Sequence, residues 1–136
     1  MTSLHKAYLC IMANELPDLS AGDGIKKLVD AFYDKVNRDE LLSPVFNEFA
    51  KVEWQNHLSR MYNFWDTILF YEGDYKGSPF PKHAPLPIDK KHFERWISLF
   101  NSTIDEHFSG SMANEAKLRA LSIATVFQSK LEKTSL

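Results

Sequence analysis

PFPKHAPLP, residues 79–87, is the stretch on which the reading of the whole chain turns. Four of the six prolines crowd around one histidine, His83. Pro85 disfavours helical geometry at Ala84, and Pro81 fixes its own φ, so the turn carrying His83 has few conformations to lose. Gly73 and Gly77 open the same loop on its N-terminal side. The result is an irregular bridge of roughly twenty residues, a length that compact domains reserve for functional or disordered loops.

On both sides of this bridge the apolar residues recur with a helical period. Ile25, Leu28, Val29, Phe32 and Val36 form one stripe, with Asp23 as its N-cap, and predict a helix over about residues 24–38. Ser43-Pro44 reads as a cap followed by a first-turn proline, which places Val45, Phe46 and Phe49 on a short linking turn or helix. Trp54, Leu58, Met61, Trp65, Ile68 and Leu69 predict a second long helix over about residues 51–71. Asp89 caps a third that runs to about Phe108, with Phe93, Trp96, Ile97, Phe100 and Ile104 on one face. Ser111 is the expected cap of a fourth, whose buried stripe is Ala116, Ala120, Ile123, Ala124, Phe127 and Leu131. No stretch alternates with period two between turn residues, so the fold class is all-α. An ordinary four-helix bundle has little use for so long a bridge between its helix pairs.

The totals narrow the functional classes. A chain of 136 residues with 44% hydrophobic content suits one compact domain. Residues 1–20 lack a clear period and read as an extension, which leaves 21–136 as that domain. A formal charge of -2 leaves no electrostatic footprint for nucleic acid or an anionic membrane surface. Cys10 is the only cysteine, which excludes an internal disulfide, a four-thiolate iron–sulfur cluster and C-x-x-C-H attachment of haem, and suits a reducing cytoplasm. The apolar run Ala7 to Ala13 is too short to span a bilayer. Aromatic residues reach 13%, enough to fill a core and also to sandwich a flat ligand.

His57 lies within about 60° of Trp54, Met61, Phe64 and Ile68 on a helical wheel, so its imidazole points with the apolar stripe. By itself that describes a satisfied core histidine equally well. His83 admits a bland reading as a surface-turn histidine, and a sharper one in which a stiff turn aims an imidazole nitrogen at a metal. Zinc would need three or four protein ligands at recognised spacings, and none are present. One histidine is enough when a macrocycle supplies the other four ligands, as in haem iron. His57, on a different helix, could then face the opposite side of the ring.

Four stretches carry a family resemblance: AFYDKVNRDELLSPVF (31–46), WQNHLSRMYNFW (54–65), GDYKGSPFPKHAPLP (73–87) and HFERWISLF (92–100). In order and spacing the chain resembles the group III truncated haemoglobins of bacteria. The resemblance implies a two-on-two helical globin sandwich with noncovalent haem b (iron protoporphyrin IX). It implies that His83 is the proximal ligand of a pentacoordinate iron, with Tyr33, Trp96 and His57 on the distal side. Tyr O–H and Trp N–H are donors that stabilise a polarised diatomic ligand, and neither coordinates iron as readily as a neutral imidazole. For His57 three roles stand open: a third donor, a swinging gate, or a sixth iron ligand when no gas is bound. Phe32, Met61, Phe64, Trp65, Phe80, Leu86 and Phe93 are the expected pocket walls, and Tyr75, Lys82 and Arg95 the expected contacts of the haem propionates. His92 and His107 are assigned to solvated or half-buried faces, away from iron.

The function implied is binding of O₂ or another diatomic gas such as NO or CO. The alternative is enzymatic use of the same pocket, for nitric oxide dioxygenation or peroxide reduction. Turnover would need an external reductase, because the chain has no flavin or nicotinamide module. No Asp or Glu lies within five residues of His83 to make it imidazolate-like, as peroxidase chemistry prefers. A helical interaction domain without haem is the third reading, and the joint presence of His83, its stiff turn and the distal polar set weighs against it.

Overall fold

The computed structural model describes residues 16–75 and 87–134. Among the described residues there are four α-helices, α1 (Asp23–Arg38), α2 (Trp54–Phe70), α3 (Lys90–His107) and α4 (Ser111–Thr134), with a π-helical turn at Val45–Phe49 between α1 and α2. There is no strand among the described residues. Helix α1 packs on α2 and α3, while α4 packs on α3 and, more lightly, on α2. No described helix is long and apolar enough to cross a membrane.

The apolar stripes predict the core. Ile25, Leu28, Val29 and Val36 of α1 are almost fully buried, as are Phe100 and Ile104 of α3. Trp65 and Leu69 of α2 join them, and Ala113, Ala116 and Ala120 of α4 complete the cluster. Alanine at these seam positions leaves little side-chain bulk between α4 and its neighbours. The one fully buried polar residue on the described core faces, Thr103, donates its hydroxyl to the Leu99 carbonyl at 2.7 Å, which removes the cost of burying it.

Helix ends depart from expectation at four places. Gly22 (φ 68°) holds the N-cap position of α1 and Asp23 is its first helical residue. Helix α2 starts at Trp54 instead of residue 51, because Lys51 adopts a left-handed φ of 51° and the Glu53 side chain caps the helix by accepting from the Asn56 N–H at 3.1 Å. The link at Val45–Phe49 is the short helix expected, of π type, with the Ala50 N–H donating to the Val45 carbonyl at 2.8 Å, but Pro44 and not Ser43 holds its N-cap position. Such wide turns tend to fall at functional sites.

The fourth departure is at α4. Ser111 is the first helical residue, and the cap comes from Asp18, whose carboxylate accepts from the N–H groups of Met112 (3.0 Å) and Ala113 (2.9 Å). Gly110 (φ 141°) permits this approach, since a Cβ there would lie 2.4 Å from the Asp18 carboxyl carbon. The Ser109 N–H also donates to the Pro17 carbonyl at 3.0 Å, and Leu19 is buried. Residues 17–19, placed by sequence in the extension, are therefore fastened to the helical body. Burial opposes ionisation of Asp18, but the backbone donors Met112, Ala113 and Leu19 outweigh it and hold its carboxyl below the ordinary 3.8. Because the folded pKa is depressed, the stabilisation is complete above the unfolded value and disappears as pH falls through the folded one. Asp18→Ala is expected to cost about 1–2 kcal/mol in urea unfolding at neutral pH. Near pH 2 the difference between variant and parent should shrink; a constant difference across pH would show that the carboxylate charge is irrelevant.

Candidate functional site

The loop that follows α2 is pinned before it leaves the described region. Asp74 N–H donates to Asn63 Oδ1 (2.8 Å) and Tyr75 N–H to Thr67 Oγ1 (3.1 Å). Gly73 makes room for this, as a Cβ there would stand 2.3 Å from Thr67 Oγ1. Tyr75 is thereby set edge-on to Phe64, 5.1 Å between ring centroids.

Phe64 belongs to an apolar cleft of about 840 Å³, counted out to its open mouth. Met61, Phe64 and Trp65 of α2 face Phe93 and Trp96 of α3 across it; Ile123, Ala124 and Phe127 of α4 contribute one side, and Leu42, Val45, Phe46 and Tyr33 another. Ile88 and His92, where the chain returns into α3, complete the lining. The surface is mainly apolar, and the lining residues that carry an N–H or O–H in the side chain are Tyr33, Trp65, Trp96 and His92.

Tyr33 anchors an aromatic cluster at one end. Its ring meets His57 at 5.0 Å, Trp54 at 5.6 Å and Phe46 at 5.7 Å. The Trp54 indole N–H is committed to Asn47 Oδ1 at 2.8 Å, and Asn47 in turn donates to Asn37 and Ser43, which locks the π turn to α2. By contrast, the Tyr33 hydroxyl and the Trp96 indole N–H have no hydrogen-bond partner among the described residues. Burial pushes the Tyr33 phenol well above its ordinary value, so it remains an O–H donor throughout the physiological range. Trp96 is held by Phe100, stacked at 5.6 Å, and by the edge of Phe32, also at 5.6 Å.

The structure thus brings Tyr33, Trp96, Met61, Phe64, Trp65 and Phe93 to one cleft, with His57 against Tyr33. Phe32 does not line it: the ring is buried behind Tyr33 and Trp96, which it supports from the core side. Arg95 is engaged elsewhere, paired with Asp39 at 2.5 Å, while the same Asp39 carboxylate receives the N–H groups of Leu41 and Leu42. His83, Phe80, Lys82 and Leu86 lie outside the described residues; the chain leaves the described region at Tyr75, beside Phe64, and re-enters close to Ile88 in the cleft wall. His92 was not foreseen in the cleft, although its four-residue spacing to Trp96 and Phe100 places all three on one helical face. The signal was hidden because a histidine at the start of a helix reads equally well as a solvated residue.

A carbon-lined cleft with a buried phenol and an indole lacking acceptors among the described residues fits a large, flat, apolar ring carrying a small polar ligand. No three His, Cys, Asp or Glu side chains cluster as metal ligands among the described residues. Helices packed around such an apolar cleft are the arrangement of the globin class.

Residues 19–128 match the family model of bacterial-like globins, and the chain belongs to that family, in its group III truncated haemoglobin branch. It is 38% identical over 115 residues to the group 3 truncated hemoglobin ctb of Campylobacter jejuni, covering 82% of this chain and 91% of that protein. The crystal structure of the group III truncated hemoglobin from Campylobacter jejuni superposes with a TM-score of 0.73 at 39% identity, over 79% of this chain and 87% of that one. Membership of a globin family implies haem binding.

Proposed function

We propose that this chain is a single-domain cytoplasmic protein that binds haem b noncovalently, with His83 as the proximal ligand, and holds O₂ or another diatomic gas against Tyr33, Trp96 and His57. The observation that carries this reading is that Tyr33 and Trp96, whose O–H and N–H have no hydrogen-bond partner among the described residues, both line one mainly apolar cleft. Haem, when bound, would supply an iron able to take up the gas. The protein's part is to exclude water, bury the ring and present hydrogen where negative charge accumulates.

Tyr33 and Trp96 come from different helices, and each is braced by Phe32, so neither must be ordered when a ligand arrives. His57 meets Tyr33 edge-on, which supports a role beside it. A hydrogen bond in a dry pocket contributes about 1–3 kcal/mol, or roughly 5- to 150-fold in affinity.

The test is hemin titration of the purified apoprotein, followed by stopped-flow release of O₂ and CO. Uptake of one hemin per chain is expected. In Tyr33→Phe and Trp96→Phe, O₂ should leave roughly 10-fold or more faster, with CO release changed much less because that ligand accepts hydrogen bonds weakly. Equal small effects on both gases would overturn the donor roles, and a folded chain that takes up no hemin would overturn the whole reading.

A further inference from the structure

We propose that His92 anchors a carboxylate of the haem, an inference that rests on the haem-binding reading above and extends it to one residue. His92 lines the cleft, and its side chain is only 13% exposed. Its ring is fixed from one side. The Asp89 N–H, one of the groups that a helix start leaves without an intrahelical partner, donates to His92 Nδ1 at 3.1 Å, while Asp89 Oδ1 accepts from the Lys91 N–H at 3.1 Å.

This reciprocal cap determines what the other nitrogen can do. With Nδ1 accepting, a neutral imidazole carries its proton on Nε2. If the ring is protonated, Nδ1 turns to Asp89 Oδ1, also 3.1 Å away, and Nε2 still carries a proton. In both of these states, with Nδ1 accepting from the Asp89 N–H or with the ring protonated, Nε2 is a donor suited to an anion. Nε2 has no hydrogen-bond partner among the described residues, and the cleft around it is carbon. Iron protoporphyrin IX is an apolar ring with two carboxylates, and a donor at an otherwise apolar wall matches that pattern. Arg95, the cation nearest in sequence to Trp96, is occupied by Asp39.

The experiment compares hemin with hemin dimethyl ester, whose carboxylates are masked, on the parent chain and on His92→Glu. Glutamate at this position preserves the reciprocal cap, since its carboxylate can accept the Asp89 N–H, but it offers no donor and adds a negative charge. Thermal unfolding of the apoproteins monitors the fold. The parent chain should bind hemin roughly 10-fold or more tightly than the ester, and His92→Glu should lose that preference while its affinity for the ester is unchanged. Equal weakening of both ligands, or no change in either, would overturn the anchor and leave His92 as a helix cap alone. If the parent chain took up neither, the haem reading itself would fall, and this inference with it.

Discussion

His83→Gly is expected to fold as the parent chain does and to lose its haem. Hemin should transfer to an acceptor globin roughly 100-fold or more faster, since removing even an outer-shell partner of a metal ligand costs about 10–100-fold. Imidazole added to the variant should restore retention and the parent spectrum by filling the vacated ligand position. The reason lies in how the loop is mounted. Its start is pinned to α2 by Asn63 and Thr67, which set Tyr75 against Phe64 of the cleft, and its end delivers Ile88 to the cleft wall and Asp89 to the cap of α3. Prolines at 79, 81, 85 and 87 restrict the chain between these two fixed ends, so ordering His83 costs little. Glycine in its place removes the imidazole and leaves the sequences of α2 and α3 unchanged. Retention of hemin by the variant, with no response to imidazole, would assign the iron to another side chain.

Phe100→Ala carries the second large effect, this time on stability. The ring is 1% exposed and enclosed by aromatic neighbours: Trp65 stacked at 5.0 Å, Phe32 edge-on at 5.3 Å and Trp96 stacked at 5.6 Å. These belong to α1, α2 and α3, so the deletion opens a void where three helices meet, and large rigid rings refill such space poorly. The expected loss is about 3–5 kcal/mol in urea unfolding of the apoprotein. A second consequence follows at the cleft. Trp96 would lose the surface that holds it, so O₂ release from the loaded variant should quicken as in Trp96→Phe. A loss below about 1 kcal/mol would mean that the core repacks freely and that the aromatic stack does not brace the site.

The two results separate layers that meet at Trp96. One tests the proposed coordinate bond from His83, and the other tests the packing that holds Trp96. Phe32 joins the layers: it was expected as a wall of the pocket and instead stands behind Tyr33 and Trp96. Apolar periodicity identifies a buried side chain without distinguishing burial in a core from burial against a ligand.

Sequence alone determined what local chemistry determines. The stripes through Leu28, Trp65, Phe100 and Ala120 could bury their faces only as helices, the Asp89 cap followed from residue type and position, and prolines around His83 excluded a helix there. What the tertiary structure decided was every relation between distant segments. Asp18 caps a helix whose donors are 94 and 95 residues away, Arg95 is drawn to Asp39 across 56 residues, and His92 turns into the cleft. Periodicity records that a face is covered, but a hydrogen bond or ion pair depends on which atoms arrive opposite it, and the crossing of the helices alone sets that.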